Sequence, residues 1–242
     1  LRGDLGESFY LGGRKVAGVL FERLPATIEL ALAALVFAVL IGVPMGIIAA
    51  IRHNTLADQV VMSVTLIGIS IPSFWLGLIL ILVLSVGLRL LPSGGYAPIS
   101  EDFFRWLRYI LLPAFSLGFM QSALIARMTR SSMLDVLKQD YIRTARAKGL
   151  AAPTVITRHA LKNAMIPILT TVGITFGVLL GGAIIVETVF TYPGVGRLVV
   201  MAVQRRDYPL MQGALLLIGC GYAVVNLVVD VMYALIDPRI KY

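Results

Sequence analysis

Five apolar runs of bilayer length, at 27–51, 60–84, 107–128, 165–186 and 210–236, constrain this chain more than any other feature. A hydrocarbon core of roughly 30 Å needs about 20 residues of helix at 1.5 Å each. The runs therefore predict an all-α, polytopic membrane protein of about five spans. Composition agrees, with 58% hydrophobic residues, 14% charged residues and a mean hydropathy of +0.89, far from an ordinary soluble chain. A net charge of +8 could point to nucleic acid. The Lys and Arg residues, however, crowd beside the apolar runs, where an anionic leaflet is their usual partner. Lipid is the expected partner, and nucleic acid is not.

The interiors of the runs carry the next layer of information. Gly42 and Gly46, four apart, permit close approach of a second helix, and Pro44 between them frees a carbonyl that a neighbour must satisfy. In the second run Gly68, Ser70, Pro72 and Ser73 interrupt the helix, as expected where backbone lines a cavity or packs under protein. Ser70, Pro72 and Ser73 are thus candidates for a translocation path, with a packing kink as the alternative. Gln121 joins them, because an amide inside a bilayer must face other helices or a wet path. Gly173, Gly177 and Gly181 form a stripe for close helix packing against a further subunit. Tyr222, Asn226 and Asp230 share a face of the last run, where Asp230 reads as a hydrogen-bonding residue near the interface. Residues 91–106 and 187–209 read as loops, Val16 to Leu24 as a short surface helix, and Cys220 as a small buried hydrophobe.

The one long polar passage, 135–167, has its own organisation. Leu134, Leu137, Tyr141 and Ala145 fall on one helical face, with Gln139, Arg143 and Arg146 on another. Gly149 stands where a left-handed helix stop is needed. After Pro153, Thr154, Arg158 and Lys162 line one side of a second short helix that runs into the fourth span. Catalytic patterns are absent. The sequence has no GxxxxGK[ST] loop to cradle a nucleotide, no HExxH or GxSxG, and its two histidines, His53 and His159, lack partners at metal-site spacing. No catalytic residue, metal or bound cofactor is expected. A membrane protease finds no nucleophile and base, and a secondary transporter using Asp230 leaves the polar passage unexplained.

The wording DYIRTARAKGL, followed by RHALKNAMIP, resembles the coupling loop of ATP-binding-cassette importer permeases, in the dipeptide, oligopeptide and nickel branch. ISIPSFWLG and the terminal Asp237-Pro238-Arg239-Ile240 resemble the same branch, so the likeness covers nearly the whole chain. Two departures from the general family, Arg143-Thr144-Ala145 for Glu-Ala-Ala and Leu161-Lys162 for an early Leu-Pro, are usual in the peptide branch. The resemblance implies a cytoplasmic helix-turn-helix loop at 131–164. Within it Asp140, Tyr141, Arg143, Thr144, Ala145, Lys148, Gly149 and Leu150 would couple to an ATPase. It also implies a second permease subunit, two ATPase subunits that use ATP and Mg, and an external solute-binding protein. The transported solute would be a di- or oligopeptide, with nickel or another small solute as the alternative. LRGDLGESF resembles the segment after a first membrane helix, so such a helix is expected to precede this chain. Residues 1–26 would then be external, 27–236 the permease domain in the cell membrane, and 237–242 a cytoplasmic tail. The dense basic residues around 127–162 favour that orientation.

Overall fold

A computed structural model describes residues 5–236, apart from the side chains of Asp230 and residues 232–236. The readings of the Asp230 side chain, of Leu1–Asp4 and of Asp237–Ile240 lie outside the described residues. The helices are α1 (Val16–Ile51), α2 (Leu56–Ser70), α3 (Ser73–Leu80), α4 (Phe103–Leu137), α5 (Asp140–Ala147), α6 (Ala152–Thr154), α7 (Lys162–Val189), α8 (Val195–Arg205) and α9 (Tyr208–Ile236). Wider π-helical turns extend α3 through Ile81–Gly87 and join α6 to α7 through Val155–Leu161. Among the described residues four helices are long and apolar enough to cross a membrane, and α2 with α3 makes a fifth if that bent pair is one span.

The spine is the α1–α4 pair, and its origin is a row of small residues. Ala31, Ala34, Ala38, Gly42, Gly46 and Ala49 recur every three or four residues along α1 and are buried. They bring the two backbones together, as the paired glycines suggested. A Cβ on Gly42 would lie 2.6 Å from the Ser122 carbonyl oxygen, one on Gly46 2.5 Å from that of Ala126, and one on Gly118 of α4 2.4 Å from that of Ala34. Around this spine, α2 and α3 cover one side of α4, α7 covers another, and α9 lies against α7.

Several expectations change here. The second run is not one straight helix, because α2 and α3 meet at 98°. Ile71 is extended at φ −88°, ψ 119°, the conformation forced on a residue ahead of proline. Val16 to Leu24 is no separate surface helix but the first turns of α1, which continues through Pro25. The expected loop 187–209 holds α8, whose Val195, Leu198, Val199 and Ala202 pack on Val16, Val19 and Leu20 of α1. The loop before α4 ends at Asp102, whose carboxylate accepts from the amides of Phe104 and Arg105 and so caps the helix. Cys220 is exposed on α9 rather than buried. Gly173 and Gly177 are already occupied by α9 of the same chain, with a Cβ at each 2.5 Å from Val229 and 2.8 Å from Tyr222. Only Gly181 of that stripe stands open.

Candidate functional site

At one end of the bundle the chain leaves α4 at Lys138, turns through extended Gln139, and forms α5. This helix is short and strongly two-sided. Ile142 and Ala145 are buried in a cluster with Ala50 of α1, Met133 of α4, and Ala164 and Ile168 of α7. The opposite face presents Asp140, Arg143, Thr144, Arg146 and Lys148 to the outside. Tyr141, placed by its spacing on one face with Ala145, is not buried with it. It is 43% exposed, and its hydroxyl accepts from Nδ2 of Asn163 at 2.9 Å. The cause is the break at Lys138–Gln139, which removes Leu134 and Leu137 to α4 and resets the register.

The stop at Gly149 is built as expected from a residue without Cβ. Gly149 has φ 77°, its amide bonds to the Arg146 carbonyl at 3.0 Å, and the Leu150 amide reaches back to Ala145 at 3.3 Å. These two bonds are the pair that closes a Schellman turn. Thr154, Arg158 and Lys162, expected along one α-helix, instead fall across the π-helical segment that feeds α7. The result is a mostly basic, exposed helix and turn bolted to three long helices at once.

Beside it lies a lock that the sequence reading did not single out. Asp58, in the first turn of α2 and almost fully buried, accepts from Nε of Arg130 at 2.6 Å and from Nη2 at 2.7 Å. The Asn54 amide adds a bond at 3.0 Å, and His53 Nδ1 lies 3.2 Å from the same carboxylate. This fork ties the α1–α2 link to α4, just before α4 reaches α5. An acid placed within the first turn of an apolar helix was the available signal, since a carboxylate there requires a partner.

The candidate path residues separate. Gln121 is buried on the wall of a 540 Å³ cavity between α4 and α7, with Arg127, Ser131, Thr171 and Thr175 also lining it. Ser70, Pro72 and Ser73 sit at the α2–α3 bend, on another side of α4. There Gly68 faces Phe119 and Ala123, while Gly77 faces Ser116 and Phe190. Residues 119 and 121 are about 200° apart around a helix, so the bend and Gln121 do not meet.

The far end is closed by buried acids. Glu187 of α7 accepts from Thr27 Oγ1 at 2.7 Å and from the Arg197 amide at 2.9 Å, while Thr27 Oγ1 accepts from the Val195 amide at 2.8 Å. Together they satisfy the free amides at the start of α8. Asp207 accepts from the Ser8 hydroxyl and from the Tyr10 and Leu210 amides, which clasps the N-terminal segment to α9. Burial opposes its charge, yet those donors hold its carboxyl below the ordinary value. Tyr192 is fully buried, and desolvation, with Glu29 nearby, pushes its phenol above the ordinary range.

The site is therefore a bundle of membrane-length helices with an anchored, exposed helical turn at one end. Comparison with known proteins gives the class. The model for "Binding-protein-dependent transport system inner membrane component" matches residues 42–242, and the chain belongs to that family. It is a multi-pass inner-membrane permease subunit. The glutathione transport system permease protein GsiC of Escherichia coli is 46% identical over 242 residues, covering 100% of this chain and 76% of the relative. The di/tripeptide transport system permease protein DppB of Pseudomonas aeruginosa is 45% identical over 264 residues, covering 100% and 77%. Among solved structures, the inward-facing MetNI methionine transporter superposes with a TM-score of 0.76 at 18% identity, covering 90% of this chain and 96% of that one. At that identity the likeness concerns the fold.

Proposed function

We propose that this permease subunit carries di- or oligopeptides and couples their passage to ATP hydrolysed by two separate ATPase subunits. The peptide assignment rests on relatives named for di/tripeptide and glutathione transport, each matched along this whole chain. In this reading the α5 end is cytoplasmic, and the chain supplies no ATP chemistry of its own. ATP and Mg are used by the ATPases, and a second permease and an external solute-binding protein complete the assembly.

The observation that carries the coupling role is the two-sidedness of α5. A helix whose apolar side is buried against α1, α4 and α7 transmits a push to all three, while Asp140, Arg143, Thr144 and Lys148 stay exposed to meet a partner. Two discrete arrangements of the bundle, biased by the ATPases, would then open the Gln121 cavity to either side in turn. The bend at Ser70–Ser73 serves packing on α4 instead.

Gly149→Val tests this. Its φ of 77° is strained for a β-branched residue, whereas the space around it is open, so the turn distorts without a clash. In proteoliposomes of the complete transporter, the variant should insert and hydrolyse ATP while peptide uptake falls at least tenfold relative to ATP consumed, on the order of the 1–2 kcal/mol that backbone strain supplies. Uptake coupled as in the parent would refute the coupling role.

A further inference from the structure

At the end of the bundle opposite α5, the chain between the π-helical segment after α3 and the start of α4 folds around an open cavity of 590 Å³. Three of its walls are arginines, Arg89, Arg105 and Arg108. Each has a local reason to be there. Arg89 takes φ 54°, rare for a residue with a Cβ, and the Leu90 amide returns to the Leu84 carbonyl at 2.9 Å to hold the turn. Arg105 and Arg108 stand three apart in the first two turns of α4, which puts them on one face. Among the described residues none of the three forms an ion pair within 4.0 Å. The one carboxylate in the cavity, Asp102, is engaged with the α4 amides. Arg108 reaches the Leu90 carbonyl at 3.4 Å and keeps its remaining donors.

The rim has the opposite character. Phe104 of the lining, and Leu82, Val86, Leu88 and Leu90, which alternate in sequence with the lining residues Ser85, Arg89 and Leu91, are each more than half exposed. Phe103 and Trp106 pack together beside them, in the manner of the aromatic belt found at headgroup level. A basic floor under an apolar rim, at the ends of membrane helices, matches an amphiphile with an anionic head. Guanidinium forks suit phosphate oxygens in particular, which they hold through paired N–H bonds.

We propose that this cavity binds the phosphate of an anionic phospholipid, with its acyl chains lying along Leu82, Val86 and Leu88. Free inorganic phosphate shares the head chemistry and lacks any use for the rim. The inference depends only on the chain lying in a membrane, so it stands or falls separately from the peptide reading.

The test uses the intact transport complex in lipid discs and arginine modification by phenylglyoxal, mapped by peptide mass spectrometry. Three conditions are compared: phosphatidylcholine alone, phosphatidylcholine with inorganic phosphate, and phosphatidylcholine mixed with phosphatidylglycerol. Protection of Arg89, Arg105 and Arg108 only in the third, with exposed Arg14 reacting equally in all, is the expected result. Equal protection by inorganic phosphate would make this a free-anion site and overturn the proposal. So would the absence of protection, or protection that appears only on adding a solute-binding protein. In native mass spectrometry, replacing the three by Gln should reduce phosphatidylglycerol retention roughly fivefold per arginine, with Lys replacements keeping part of it. Retention unchanged in the Gln variant would overturn the proposal too.

Discussion

The Arg130–Asp58 fork is the residue on which this end of the bundle turns, and its energetics are asymmetric. Asp58 has left water while the Arg130 side chain stays 23% exposed, so removing Arg130 strands a buried carboxylate, at a cost of up to roughly 3–5 kcal/mol. Arg130→Ala should therefore lower the thermal unfolding midpoint of the detergent-purified complex sharply, and the Asp58→Asn, Arg130→Gln pair should recover part of the loss. An Arg130→Ala midpoint equal to the parent's would show that His53 and the Asn54 amide already satisfy Asp58. The Asp207 clasp makes a pH prediction. Its folded value lies below the ordinary 3.8, so its contribution is full above the unfolded value and is lost as pH falls through the folded one. Protection of the Tyr10 and Leu210 amides from hydrogen exchange, taken relative to the intrinsic rate at each pH, should hold from neutral pH to about 4 and fall only in stronger acid. Asp207→Ala should lower that protection throughout the range above about 4, by the about 1–3 kcal/mol of an orphaned donor. None of these pairings was legible in sequence, because Asp58 and Arg130 are 72 positions apart and Ser8 and Asp207 are 199 apart.

At the scale of elements, local chemistry was readable and orientation was not. The Gly149 stop was visible because positive φ is a property of one residue and its neighbours. The stripe Leu134, Leu137, Tyr141 and Ala145 does not run along one helix, because the chain breaks between α4 and α5 where no Gly or Pro marks it. The interruption at Ile71–Pro72 was likewise visible, yet its angle is fixed by what α2 and α3 find on α4. Helix α8 went unseen behind the Tyr192–Gly196 turn, although Val195, Leu198, Val199 and Ala202 already had helical spacing. The buried face of α5, Ile142 and Ala145, makes a prediction of its own. Ile142→Ala opens a cavity beneath the helix and should cost about 2–5 kcal/mol locally, whereas Tyr141→Phe removes one hydrogen bond, worth about 0.5–1.5 kcal/mol. Amide exchange within 140–147 separates them, and a larger effect from Tyr141→Phe would make Tyr141 rather than Ile142 the anchor.

For the whole molecule, glycine positions are readable from sequence while the helix that meets each of them is not, because close approach is a property of two elements and a glycine is a property of one. The stripe at Gly173, Gly177 and Gly181 is as regular as the Gly42–Gly46 pair, yet α9 of the same chain takes its first two members and leaves the third open. The α1–α4 seam behaves differently, since there backbone meets backbone from Ala34 to Ala126 and no side chain can move aside to admit a larger residue. One substitution placed at two sites distinguishes these situations. Gly118→Leu drives a side chain into the Ala34 carbonyl, 2.4 Å from where its Cβ must sit, and should separate α1 from α4. The chain should then fail to accumulate in the membrane as a folded permease. A Cβ at Gly181 meets nothing within 4 Å in this chain, and Gly181→Leu removes a glycine from the middle of α7, which should be neutral or stabilise by up to about 1 kcal/mol. Expression level and the detergent unfolding midpoint read both. If the two variants proved equally stable, α1–α4 contact would not be the spine of the fold, and α7 with α9 would take that role.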